Sequence, residues 1–96
     1  MRPDFLTPCF DEILVIKENI AQYSPSAATR FVDSVFSRVE QLEKFPYSGR
    51  MVPEVGQPAV RELFHRQYRI IYRLHANGRI DVLGVRSSLV PLDTNF

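Results

Sequence analysis

After Lys44 the chain has no lysine; every cation in its second half (Arg50, Arg61, Arg66, Arg69, Arg73, Arg79 and Arg86) is an arginine. Cysteine is nearly absent too. Cys9 is alone, so no internal disulfide can form, and the chain suits a reducing, cytoplasmic compartment. Long apolar runs are also missing. The longest clean aliphatic stretch is Ile13-Leu14-Val15-Ile16, far short of a membrane span, and Asp4, Asp11 and Glu12 interrupt any secretory core, so no membrane partner is expected. Metal-ligand spacing is lacking as well. His65 and His75 stand ten residues apart with no cysteine or acid at ligand spacing, so neither a metal nor a cofactor is expected.

Ninety-six residues suffice for a single core and one domain over 1–96. The net charge of +1 conceals a polarity. Residues 1–48 carry five cations and seven acids, a balance of −2; residues 49–96 carry seven cations and four acids, a balance of +3. Arginine's planar fork suits phosphates and carboxylates and keeps its charge at any ordinary pH. The basic half therefore points to an anionic partner.

Hydropathy divides the chain further. Thr7-Pro8 reads as a helix start, with a hydroxyl N-cap and proline at the first helical position. Phe10, Ile13, Leu14, Lys17, Ile20 and Ala21 follow with helical spacing. Ser24-Pro25 repeats the start signal, and Ala28, Phe31, Val32, Val35, Val39 and Leu42 stripe a second helix that Pro46 stops. The pair, over about 8–45, should pack as an antiparallel hairpin. Residues 46–59 hold three prolines and two glycines and read as a loop. Residues 60–86 then read as a sheet: Val60–His65, Tyr68–His75 and, after the Asn77-Gly78 turn, Arg79–Val85. Residues 87–96 form an irregular tail, and residues 2–6 offer a weak further strand. The fold class is α+β, a helix hairpin on a small, mainly antiparallel sheet.

Strand parity assigns the faces. Tyr68, Ile70, Tyr72 and Leu74 should meet the helices, whereas Arg69, Ile71, Arg73 and His75 should stand on an open face. Arg69 has a plainer alternative, an ion pair with Glu62 or Asp81 across the sheet. His65 and His75 have the side chain for acid–base work near neutrality, but read first as strand-end residues without a placed partner. Cys9, in the first turn of helix 1, reads as a structural thiol because no base is implied beside it.

The order of these pieces resembles a known family. A helix hairpin, then Phe45-Pro46-Tyr47-Ser48-Gly49-Arg50, then Arg61-Glu62-Leu63-Phe64 and Tyr68-Arg69-Ile70-Ile71-Tyr72-Arg73-Leu74, then Ile80-Asp81-Val82-Leu83-Gly84-Val85, resembles the RelE/ParE toxin superfamily. Ala27-Ala28, Arg30-Phe31 and Gly49-Arg50 look most like its ParE-type, plasmid-stabilisation branch. The resemblance implies the toxin of a type II toxin–antitoxin module, held in a hetero-oligomer by a cognate ParD-like or RelB-like antitoxin. It implies poisoning of DNA gyrase, as ParE-like toxins do, or cleavage of mRNA in the ribosome, as RelE-like toxins do; a third reading is a degenerate, non-toxic member that only binds nucleic acid. For the nuclease alternative, which needs no metal, Arg69 matches the arginine that contacts the scissile phosphate, with Arg61 and Arg86 adding charge. The C-terminal Tyr or His of such nucleases has no counterpart here, and Arg86-Ser87-Ser88 replaces the His-Arg usual in the ParE branch. Arg69, Arg73, Arg61, His65, Arg50 and Tyr47 are the candidate target-binding residues.

Overall fold

A computed structural model describes residues 3–92. The chain runs β1 (Asp4–Phe5), α1 (Thr7–Ala21), α2 (Pro25–Glu40), a single 3₁₀ turn (Gln41–Glu43), β2 (Arg50–Met51), β3 (Val60–His65), β4 (Tyr68–Leu74) and β5 (Ile80–Ser87). The five strands form one sheet in the order β1-β5-β4-β3-β2, parallel only where β1 meets β5. Two helices on a mostly antiparallel sheet is the α+β arrangement that the sequence pattern predicts. The expected tail beyond residue 92 and Arg2 lie outside the described residues.

The helix starts behave differently from each other. At α2, Ser24 is the N-cap and its Oγ accepts from Ala27 N at 3.2 Å, with Pro25 following, as the signal predicts. At α1 the N-cap is Leu6, not Thr7, and no side chain caps it. The weak strand wins here: Asp4–Phe5 pairs with Asp81 and Val82, and Leu6 N donates to Val82 O at 3.1 Å. Leu6 thus leaves the sheet and opens the helix in one step, its carbonyl accepting from Cys9 and Phe10.

The buried stripe of α1 is also displaced. Cys9 and Ile13 are its buried residues, with Ile16 and Ile20 packed partly against the core, whereas Phe10 and Leu14 remain about half exposed. The helix carries more apolar positions than one sheet face covers, and the lone thiol takes one of the inward places. In α2 the inward residues are Ala28, Phe31, Val35 and Val39, at spacings of three and four. The helix ends at Glu40, and the 3₁₀ turn carries the fully buried Leu42 to the sheet.

Ile70 and Tyr72 enter this helix-side core with Leu63, Val82 and Val85, as parity predicts. The opposite face is not open, however. Val52, Val60, Ile71 and Leu92 form a second buried cluster there, joined by Val55 and Leu83. The loop after β2 turns back at Val52, whose carbonyl accepts from Val55 N and Gly56 N, and Gly56 takes the left-handed conformation at φ 71° that the turn needs. That turn lays apolar side chains over Ile71. Burying a Val or Ile side chain contributes about 1.5–3 kcal/mol, which is the reason the face closes.

Tyr72 fixes the Phe45–Arg50 segment. Its hydroxyl donates to Pro46 O at 2.9 Å and accepts from Gly49 N at 3.0 Å, although the ring is fully buried. Gly49 is required by space: a Cβ there would lie 2.6 Å from both Glu62 O and Tyr72 Oη. The motif is a backbone clamp around one phenol.

Candidate functional site

The predicted open face carries an ion-pair network beside the second cluster. Arg69, on the middle strand, is only 5% exposed. Its Nε donates to Glu62 Oε1 at 2.5 Å, and its two terminal nitrogens grip both oxygens of Glu54 at 2.7 and 2.8 Å. Glu62, 1% exposed, also accepts from Arg50 Nε at 2.7 Å. Glu62 is one of the two partners that cross-strand pairing suggests for Arg69. The other, Asp81, instead meets His75 Nε2 at 2.8 Å and Arg79 at 3.5 Å. The hydrogen bond from Arg69 holds the Glu54 carboxyl down at about 2, and the same contact raises the guanidinium above its ordinary range. Arg69 is therefore a buried, doubly neutralised cation and not a side chain standing free on an open face. Arg73 shares its strand face and is half-buried, paired in register with Val60 on one side and Asp81 on the other.

Arg86 is the register partner of Arg69 on β5, but its Nε donates to Glu12 of α1. Gly84 makes room for that contact, because a Cβ there would meet Glu12 Oε1 at 2.6 Å. Cys9 lies near the same pair. Burial first, then Glu12, pushes its thiol up to about 12, opposite to the effect expected from a helix start. The three arginines expected to act together as a nuclease are each engaged within the fold: neighbouring Arg69 and Arg86 by carboxylates, and Arg61, toward the sheet edge, by backbone carbonyls.

At that edge a different arrangement appears. Arg61 donates to Gly49 O at 2.9 Å and Pro58 O at 3.1 Å, with its guanidinium 5.0 Å from the Tyr47 ring centre. Arg50 lies 4.9 Å from the Phe64 ring centre. Both are cation–π contacts, and they flank the short edge strand β2. Phe45, Tyr47, Met51 and Phe64 are all substantially exposed around them. Arginine, tyrosine, phenylalanine and methionine are the side chains enriched in protein interfaces. Of the candidates, Tyr47 and Arg61 pair on one face of this edge and Arg50 pairs with Phe64 on the other, whereas Met51 and Phe64 escape a reading of the sequence. The available signal is Phe64 at an outward position of β3, where a polar residue is usual.

His65 is separate from this edge. It closes β3 at the two-residue turn to β4, where Arg66 takes a left-handed backbone at φ 55°. Burial, then Arg66 and Arg38, lowers its tendency to protonate. Among the described residues no group of three or more acids, histidines and cysteines is arranged to hold a metal ion. No helix in them is long and apolar enough to cross a membrane.

Residues 10–89 match the family described as the ParE toxin of the parDE type II toxin–antitoxin system. The chain belongs to the ParE toxin family. Among solved structures, a chain from the chromosomal ParDE toxin–antitoxin system of P. aeruginosa is similar over 91% of this chain and 95% of its own, with a TM-score of 0.73 and 19% identity. A chain of the RelBE2 toxin–antitoxin complex from Mycobacterium tuberculosis is similar over 90% and 95%, with a TM-score of 0.56 and 15% identity. Both likenesses show a shared fold. No curated protein matches the sequence.

Proposed function

We propose that this ParE-family toxin acts by binding, without cutting nucleic acid itself, that its target is DNA gyrase, and that a cognate ParD-like antitoxin holds it inactive. The observation that carries the reading is the state of Arg69. A guanidinium that must meet a scissile phosphate has to offer its donors, whereas here three of them are spent on Glu62 and Glu54 in a nearly closed site. Metal-independent cleavage also needs a group to take the 2′-hydroxyl proton and another to supply one to the leaving oxygen. Arg69 has only carboxylates with lowered or buried character beside it. The family match supports a gyrase target, and the two toxin–antitoxin complexes of like fold support an antitoxin partner.

In this reading the target meets the edge bearing Tyr47, Arg50, Arg61 and Phe64. Two arginines stacked on exposed rings are pre-ordered, so little side-chain entropy is lost on binding. Arg73 and His65 lie outside that edge and contribute at most peripherally.

Inducible expression in a bacterial host, with DNA and protein synthesis followed by separate labelled precursors, tests the proposal. DNA synthesis should stop first, and co-expression of the antitoxin encoded beside the toxin should restore growth. Translation stopping first would replace the gyrase reading by a ribosome-dependent nuclease.

A further inference from the structure

Most arginines of the sheet are neutralised by carboxylates; those of one groove are not. Arg30 and Arg38 lie on α2, eight residues apart, about 12 Å along the helix. Arg66 projects from the β3–β4 turn on the other side of a cleft that these three line with His65. Among the described residues, Arg30 and Arg66 make no side-chain hydrogen bond or ion pair. Arg38 donates only to the neutral oxygens of Phe64, at 3.1 Å, and Gln41, at 3.4 Å. Asp33 is the one acid in the lining.

Two further observations point the same way. His65, in the same lining, has a buried Nε2 with no hydrogen-bond partner among the described residues, so the wall beside these cations is not internally satisfied. Arg66 occupies the left-handed region, which is strained for a residue with a side chain and which glycine would adopt freely. An arginine kept at a strained turn, facing two more, concentrates positive charge that no carboxylate among the described residues neutralises.

We propose that this groove binds the phosphodiester backbone of a nucleic acid, with Arg30, Arg38 and Arg66 as the phosphate-binding residues. A protein segment is the poorer occupant. Protein partners anchor on apolar and aromatic side chains, and the groove lining consists of charged and polar residues throughout. Guanidinium forks on both walls suit a strand of phosphates running between them. None of these side chains reads a base edge, so the binding is independent of sequence. The site is distinct from the Tyr47–Phe64 edge, and it stands whether or not gyrase is the target.

The test is fluorescence anisotropy of the purified full chain with a labelled mixed-sequence single-stranded DNA of about 20 nucleotides, read at two salt concentrations. The variant Arg30→Gln/Arg66→Gly breaks no side-chain hydrogen bond or ion pair and relieves the turn, so it stays folded; circular dichroism checks this. Adding Arg38→Gln completes the site. Affinity should fall about tenfold or more in the triple variant, and the salt slope should shrink by about 0.7 for each phosphate that is no longer neutralised. Arg79→Gln, at the opposite end of the sheet, should stay within about twofold of the parent. Three results overturn the proposal: no binding at low salt, equal losses in Arg79→Gln and the groove variants, or equally tight and equally arginine-dependent binding of an oligoglutamate peptide, which would make the occupant an acidic protein segment.

Discussion

Replacing Arg69 by alanine should destabilise the fold before it reveals anything about the target. The side chain is 5% exposed and bridges two carboxylates on different segments, Glu62 of β3 and Glu54 of the loop that covers Ile71. Its removal leaves the fully buried Glu62 carboxylate with only Arg50, whose side chain is 57% exposed. Stranding one member of a buried pair costs about 3–5 kcal/mol. A domain of this size has only about 5–15 kcal/mol in total. In urea, with a slope of about 1–3 kcal/mol per molar, the midpoint should drop by about 2 M. The double variant Arg69→Met/Glu62→Leu removes both buried charges together and should recover most of the loss, because an apolar pair of similar volume substitutes well for a buried ion pair. The cycle therefore predicts strong coupling between the two positions. A loss below about 1 kcal/mol for Arg69→Ala, or additive effects in the double variant, would refute the reasoning and return Arg69 to the candidates for direct contact.

Other expectations follow from the same geometry. The Glu54 carboxyl is held near 2 in the folded chain and titrates at its ordinary value when unfolded, so its contribution is complete above about pH 5 and is lost as pH falls toward 2. Acid denaturation should accordingly be less steep in Glu54→Gln. Tyr72→Phe strands the Gly49 amide and the Pro46 carbonyl and should cost about 1–3 kcal/mol by thermal or urea unfolding. Gly49→Ala, whose methyl would press on the Glu62 carbonyl and the Tyr72 hydroxyl, should cost at least as much, about 1–3 kcal/mol or more. Cys9, buried and held near 12, should react with a thiol reagent only at the rate of unfolding; fast reaction in the native state would contradict its place on the buried face of α1.

The helix hairpin, the three long strands and the inward side of β4 were legible because each rests on a local period and on strong boundary residues, Ser24-Pro25 and Asn77-Gly78. Alternation could say which residues of β4 share a face but not what covers it. The cover comes from Val52, Val55 and Leu92, which lie in segments without periodicity. For the same reason the sequence could place Arg69 and Arg73 on one face, while the carboxylate of Glu54, fifteen residues upstream in an irregular loop, left no trace of its role. The pairing of Arg86 was equally invisible, because Glu12 lies seventy-four residues away on α1. Arg30 and Arg38 lie on a helix and Arg66 in a turn, and no local period connects them. Only the packing of α2 beside the β3–β4 turn puts them in one groove.

The most direct test of the binding reading combines the purified full chain with DNA gyrase and supercoiled plasmid, then traps any cleaved complexes with detergent and protease. The account predicts linear plasmid that accumulates with added toxin, disappears when the antitoxin is supplied, and weakens in Arg61→Ala and Phe64→Ala at the β2 edge. Unimpaired gyrase, together with mRNA cut on ribosomes by the same preparation, would contradict it.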